Sequence, residues 1–204
     1  MQARAIGRKG IYLSRYFFST SAKTLSTCNN DLLTEEIRQA NARYKGRVLI
    51  RRMDNDTVGW GLESLCNFSA GDVVIKARAM EIWDRPNSHT IQKDWDRHVM
   101  MDLPARFLNH QCNSANLGVQ DNELGAYDFV ALRKIVKGEH LTWDYHDAEY
   151  YMESPFICQC EDANCRELVK GWKHSDDAAH DNNHEYLPLY RLNHDDWDER
   201  TSSS

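Results

Sequence analysis

Three cysteines fall close together, Cys158-Gln159-Cys160 and, after four intervening residues, Cys165. Thiolates at that spacing on a short irregular loop can reach one metal centre, but three of them cannot complete a tetrahedron. The fourth donor has to come from elsewhere. Cys112 is the best candidate because it sits in the polar run Asn109-His110-Gln111-Cys112, whereas Cys66 has apolar neighbours and Cys28 lies in a basic leader-like stretch. Four thiolates leave no open position for water, so the ion would be a structural zinc that staples a C-terminal segment to the rest of the chain. The other reading of the same residues is a pair of free or redox-active thiols.

Two further clusters could carry chemistry. Gly59-Trp60-Gly61 follows a strand-like run and Asp54-Asn55-Asp56, and its glycines allow backbone to approach a ligand closely. With no third glycine and no distal acid it does not read as a dinucleotide loop, and no phosphate-binding glycine loop occurs anywhere. Gly138-Glu139-His140-Leu141-Thr142-Trp143-Asp144-Tyr145 leads from a turn into a strand-like run ending in two aromatics around an acid. A buried tyrosine there can orient an amine within walls that exclude water, and the same residues also serve plain core packing.

These clusters need a scaffold. Residues 31–45 read as a helix, with Thr34 as cap, Glu35 and Glu36 in the first turn, Leu33, Ile37, Ala40 and Tyr44 at helical spacing, and Gly46 as stop. From Arg47 the pattern changes to short β-like runs at 48–51, 73–77, 98–101 and 129–135, separated by turn signals. Residues 173–204 carry eight acids against three bases and read as a solvated polar tail.

At 204 residues, 41% of them hydrophobic, the chain can bury a true core, and no run approaches the roughly 20 apolar residues of a membrane span. A formal charge of −6 disfavours nucleic-acid binding driven by counterion release. Residues 1–30 hold five bases (Arg4, Arg8, Lys9, Arg15 and Lys23) and no acid, with scattered serines, which is the composition of a mitochondrial or plastid transit peptide. Residence in the nucleus or cytoplasm is the alternative.

Taken in order, the clusters resemble the SET-domain protein-lysine methyltransferases. Gly59-Trp60-Gly61-Leu62 is similar to the family's Gly-x-Gly-Leu, Arg106-Phe107-Leu108-Asn109-His110-Gln111-Cys112 to its Arg-Phe-Ile-Asn-His-Ser-Cys, and residues 138–145 to its Gly-Glu-Glu-Leu-Thr-Tyr-Asp-Tyr. The three later cysteines match its post-SET zinc segment. The resemblance implies a mainly β fold, the β-clip of small sheets with a threaded segment, preceded by a short N-terminal helix. It covers roughly residues 46–172 and implies a SET domain at 46–147 and a post-SET segment at 156–172, which join the transit peptide at 1–30, the helix at 31–45 and the tail at 173–204 read above from composition and pattern.

It further implies S-adenosylmethionine against Gly59, Trp60 and Gly61, with Arg106, Phe107, Asn109 and His110 lining its pocket. Tyr145 is then the catalytic tyrosine of a lysine channel, and Cys112, Cys158, Cys160 and Cys165 are the zinc ligands. Trp143 stands where the family has Phe or Tyr, a bulkier wall that points to low methylation states. The short interval from Gly61 to Asn109 leaves little room for the insert that builds one side of the peptide groove. The implied partner is a protein bearing a lysine, with no membrane and no direct nucleic-acid contact. The alternative function is a catalytically inactive, zinc-stapled binding or scaffold protein.

Overall fold

The computed structural model describes residues 26–53, 59–174 and 186–189. The transit-like stretch up to residue 25 and most of the polar tail lie outside the described residues. The chain is mainly β. Helix α1 (Ser26–Arg43) precedes β1 (Val48–Arg52), β2 (Trp60–Ser64), β3 (Val73–Lys76), β4 (Ala79–Trp83), β5 (Ile91–Asp94) and β6 (Arg97–Met101). There follow β7 (Asn109–His110), β8 (Leu117–Asp121), β9 (Tyr127–Ala131), β10 (His140–Trp143), β11 (Phe156–Ile157) and β12 (Leu168–Val169).

The helix begins earlier than the sequence suggests. Neither Gly nor Pro interrupts residues 26–43, so a residue of capping type at Thr34 is carried within the helix and does not start it. Glu35 instead pairs along the surface with Arg38 (2.6 Å) and Gln39 (2.8 Å). The helix ends as expected, with Gly46 at φ +76°. Ile37 and Ala40 are buried, and Asn41 donates to Ile50 O (3.2 Å) and accepts from Ile50 N (2.7 Å). The side-chain amide thus completes the outer edge of β1, where a further strand would otherwise pair.

The large sheet runs β1-β2-β10-β8-β9-β3, with β7 also beside β10. All five residues of β9 are buried, so both faces of this strand are covered. The decisive element for function is β10. It pairs antiparallel with β2, through His140↔Glu63 and Leu141↔Leu62, and parallel with β7, through Thr142↔Asn109 and Trp143↔His110. A late strand therefore enters between earlier ones and brings distant motifs side by side. Leu62, Leu117, Phe129, Leu141 and Trp143 form the core beneath it, each worth about 1.5–3 kcal/mol of apolar burial.

The interval between the glycine motif and Asn109 also holds a separate antiparallel sheet, in the order β4-β6-β5. Two sequence expectations change. The apolar run at 129–135 leaves the ladder after Ala131, because the chain turns at exposed Arg133 and Lys134 before Ile135 bridges to Phe68. The tail is not wholly solvated, since its one apolar stretch, Tyr186-Leu187-Pro188-Leu189, returns to β8. Val119 N donates to Tyr186 O (3.0 Å), Leu189 N donates to Asp121 (2.6 Å), and Pro188 is buried.

Candidate active site and cysteine cluster

Trp143 ends β10, and one residue later the chain enters a short helical turn, Tyr145–Asp147, capped by Asp144, whose carboxylate accepts from His146 N (3.0 Å). Tyr145 is anchored at both ends. Its backbone N donates to His110 Nδ1 (3.2 Å) and its hydroxyl donates to Leu108 O (2.9 Å). Trp143, only 1% exposed, packs on Tyr145 with ring centroids 5.0 Å apart and on Phe129 at 5.5 Å.

A cleft of roughly 460 Å³, part of it open to solvent, is lined by Arg106 and Asn109 and by Trp143 and Tyr145. Leu108 and Met101 bring core surface to it, and Ser88, His89 and Ile91 bring the small inserted region. Residues expected at a cofactor and residues expected at an amine channel thus share one cavity. Arg106 also reaches Glu36 of α1 (2.9 Å).

The glycine motif lies beside this cleft and not in its wall. Asn109 Nδ2 donates to Trp60 O (3.1 Å), and the Trp60 ring lies 5.7 Å from the buried ring of Phe107. A Cβ on Gly61 would sit 2.7 Å from Met53 Sδ, 2.8 Å from His140 Nε2 and 3.0 Å from Asn109 Nδ2, so only glycine permits this packing. Gly59 has φ +70°, and a Cβ there would meet nothing within 4 Å, so its backbone is accessible for a ligand to approach.

His110 departs from its expected place. Because Nδ1 accepts from Tyr145 N, the ring proton belongs on Nε2, which lies 3.2 Å from Cys112 Sγ. The side chain links the tyrosine turn to the cysteines and is turned away from the cofactor role, leaving only its backbone for a ligand.

The Sγ atoms of Cys112, Cys158, Cys160 and Cys165 lie within 4.8 Å of one another. Zn–S bonds of about 2.3 Å in a tetrahedron put sulfurs about 3.8 Å apart, and Cys112 and Cys158 are separated by 3.8 Å. The donor set fits zinc. Hydrogen bonds from Cys158 and His110 hold Cys112 far below the ordinary thiol range, at about 3. Its bond to Cys112 and burial push Cys158 well up, and burial pushes Cys160 up to about 12. One negative charge is favoured among the bare sulfurs, and four would require a cation at their centre.

Sequence reasoning missed the links that join the two sites. Arg166, between the cysteine loop and β12, pairs with Asp144 at 2.7 Å, and both side chains are nearly sealed from solvent. Phe156 packs on Tyr145 (5.9 Å) and His110 (5.7 Å). Gln111 donates to Cys160 O (3.3 Å) and Asn113 to Asn164 O (2.8 Å). Only the arginine adjoining a cysteine hinted at any of this.

A small β domain whose cleft adjoins a segment with four clustered cysteines is the class this architecture defines. Residues 59–146 match the SET domain. The chain is 28% identical over 141 residues to the probable inactive histone-lysine N-methyltransferase SUVR2 of Arabidopsis thaliana, covering 53% of this chain and 20% of that protein. Over 78 residues it is 38% identical to a histone-lysine N-methyltransferase, H3 lysine-36 specific, of Candida glabrata, covering 37% of this chain and 11% of that one. The crystal structure of KRYPTONITE in complex with mCHG DNA and SAH aligns at a TM-score of 0.47 with 22% identity, over 61% of this chain and 29% of that chain. The chain spans a fifth or less of the length of these curated relatives. Among the described residues no helix is long and apolar enough to cross a membrane.

Proposed function

We propose that the protein transfers a methyl group from S-adenosylmethionine to the side-chain amine of a protein lysine. The observation that carries this reading is the single cleft shared by Arg106 and Asn109 with Trp143 and Tyr145. S-adenosylmethionine supplies an electrophilic methyl on a sulfonium. The chain's own task is to hold a neutral amine in line with it, at about 3–3.5 Å. Free lysine has a pKa near 10.4, and the nearly dry walls of Trp143, Tyr145 and Leu108 disfavour its ammonium form. Tyr145 Oη and Leu108 O, already hydrogen-bonded to each other at 2.9 Å, are the two oxygens available to orient the amine. Trp143 narrows the cleft beside Tyr145, which favours mono- over trimethylation.

Asn109, Arg106 and Phe107, with the backbone of Gly59, Trp60, Gly61 and His110, form the cofactor side in this reading. Cys112, Cys158, Cys160 and Cys165 would hold a structural zinc, and the segment they anchor places Phe156 and Arg166 against the tyrosine turn. An incubation of radiolabelled S-adenosylmethionine with fractionated protein extract tests the activity, and label must appear on protein lysine. Cofactor binding without any transfer would favour a scaffold role, a reading kept alive by the name of the Arabidopsis relative.

We further propose an organellar address. A reporter carrying residues 1–30 alone should enter mitochondria or plastids, and a nuclear signal would overturn this and restore a chromatin substrate.

A further inference from the structure

One titratable group beside the cleft has no part in the mechanism above. His140 opens β10 and is half-buried, next to Gly61 and Asn109. Its Nε2 lies 3.3 Å from Asn109 Nδ2. The orientation of that amide is fixed independently, because the same Nδ2 donates to Trp60 O at 3.1 Å. An NH₂ group offers two hydrogens and accepts nothing. His140 Nε2 must therefore accept, which requires a neutral ring with its proton on Nδ1.

The geometry points to His140 as a positioning residue that sets the polarity of Asn109 toward the cofactor, so that cofactor affinity is lost when the imidazole is protonated. With both hydrogens of Nδ2 spent on Trp60 and His140, Asn109 presents Oδ1, an acceptor, to an N–H donor of a ligand in the cleft it lines. Among the described residues nothing else hydrogen-bonds that oxygen. A protonated ring places an N–H against the amide NH₂. The amide must then turn over or separate, and Asn109 either shows a donor to the ligand or releases Trp60 O. Gly61 leaves no slack for a compromise, since a single methyl there would already meet both partners.

The charges facing the ring are Arg51 from β1 and Glu63 from β2, the latter directly opposite His140 in the ladder. The two are paired with each other at 2.7 Å. From β7 the ring meets the neutral Asn109, and the residue before β8, Asn116, touches only the backbone, donating to His140 O (2.8 Å). Burial and then Arg51 lower the ring's pKa and Glu63 opposes them, with a net shift downward. The ring is neutral at neutral pH, and affinity is full above its lowered pKa and falls below it.

This inference rests on the cofactor reading given above, and the test separates the two. On the ¹⁵N-labelled full chain, the imidazole spectrum of His140 at pH 7.5, assigned by comparison with His140→Gln, should show a protonated Nδ1 and a bare Nε2. Calorimetric titration with S-adenosylhomocysteine from pH 8 to 5.5 should show affinity falling by about tenfold per unit below the ring's pKa. His140→Gln, which can still accept but cannot titrate, should keep the neutral-pH affinity within a few-fold and lose that slope. A protonated Nε2 at pH 7.5, a flat wild-type profile or a variant that retains the slope overturns the inference. If the wild type binds no S-adenosylhomocysteine at any pH, the cofactor reading itself falls, and the role of His140 toward the cofactor falls with it.

Discussion

The β10 region and the cysteine segment meet at Tyr145, yet they are held by different forces. Residues 140–143 lie between strands on both sides, and their position follows from ladder hydrogen bonds and apolar burial. Residues 156–172 offer only the two-residue strands β11 and β12. They gather four sulfurs and are tied down by one buried ion pair, side-chain bonds to residues 111–114, the rings of Phe156 and Trp172, and the backbone bonds from Met152 N to Lys170 O and from Trp172 N to Glu149 O. The sheet fixes the cleft in which the proposed chemistry would take place. The segment closes the tyrosine turn from the other side, through interactions that can each be removed singly.

Removing the metal should break this contrast most sharply. Structural zinc is worth on the order of 10 kcal/mol in small domains, more than two short strands can replace. Freshly purified protein should hold one zinc per chain, with Zn–S distances near 2.3 Å. Chelation or Cys160→Ser should release residues 156–172 to rapid hydrogen exchange while β8 and β9 stay protected. Less than half an equivalent of tightly held metal would remove the site.

Next comes the ion pair. Arg166→Met should cost about 3–5 kcal/mol in urea unfolding, because it strands the Asp144 carboxylate in a dry site. The double variant Arg166→Met, Asp144→Leu should recover part of that loss, less about 1 kcal/mol for the cap to His146 N. A double variant no better than the single one would mean that the pair attracts more than its desolvation costs.

The sheet side was far more legible in the sequence than the segment side. Arg106, Asn109, Trp143 and Tyr145 stand in motifs whose order and residue types carry the family likeness, and β10 brings them to one cleft. What did not show was long-range and made of ordinary residues. Ser88, His89 and Ile91 reach the cleft from an interval in which the sequence offers a single strand-like run, at 98–101. The pairing of Arg166 with Asp144 depends on how an irregular loop folds back, which no periodicity encodes. His110 was legible as a motif residue but not as a bridge to Cys112, since its ring direction is set by Tyr145 N. The tail was misjudged for the opposite reason, as its average polarity hid the four residues that dock.

A smaller effect in energy tests the sheet side. Tyr145→Phe should slow methyl transfer by on the order of 100-fold, the usual scale for a group that handles a proton or orients the reacting atom, while S-adenosylhomocysteine affinity changes less than about twofold. Asn109→Ala should do the reverse, weakening affinity first. Wild-type turnover in Tyr145→Phe would leave the hydroxyl with no role beyond its bond to Leu108 O.

The smallest effect separates the tail from both regions. A Cβ at Gly118 would lie 2.7 Å from the Cβ of Tyr186, 3.1 Å from Tyr186 O and 2.9 Å from Leu132 Cδ2. Leu132 can shift a methyl, but the docked backbone of Tyr186 cannot yield while Val119 N holds its carbonyl. Gly118→Ala should therefore destabilise the full chain by about 1–2 kcal/mol, within the range for overpacking, and should expel the tail. In a chain ending at residue 185 the same substitution should cost well under 1 kcal/mol, because the clash is gone before it is introduced. Equal costs in the two backgrounds would place the strain at Leu132 and leave residues 186–189 without a structural role on β8.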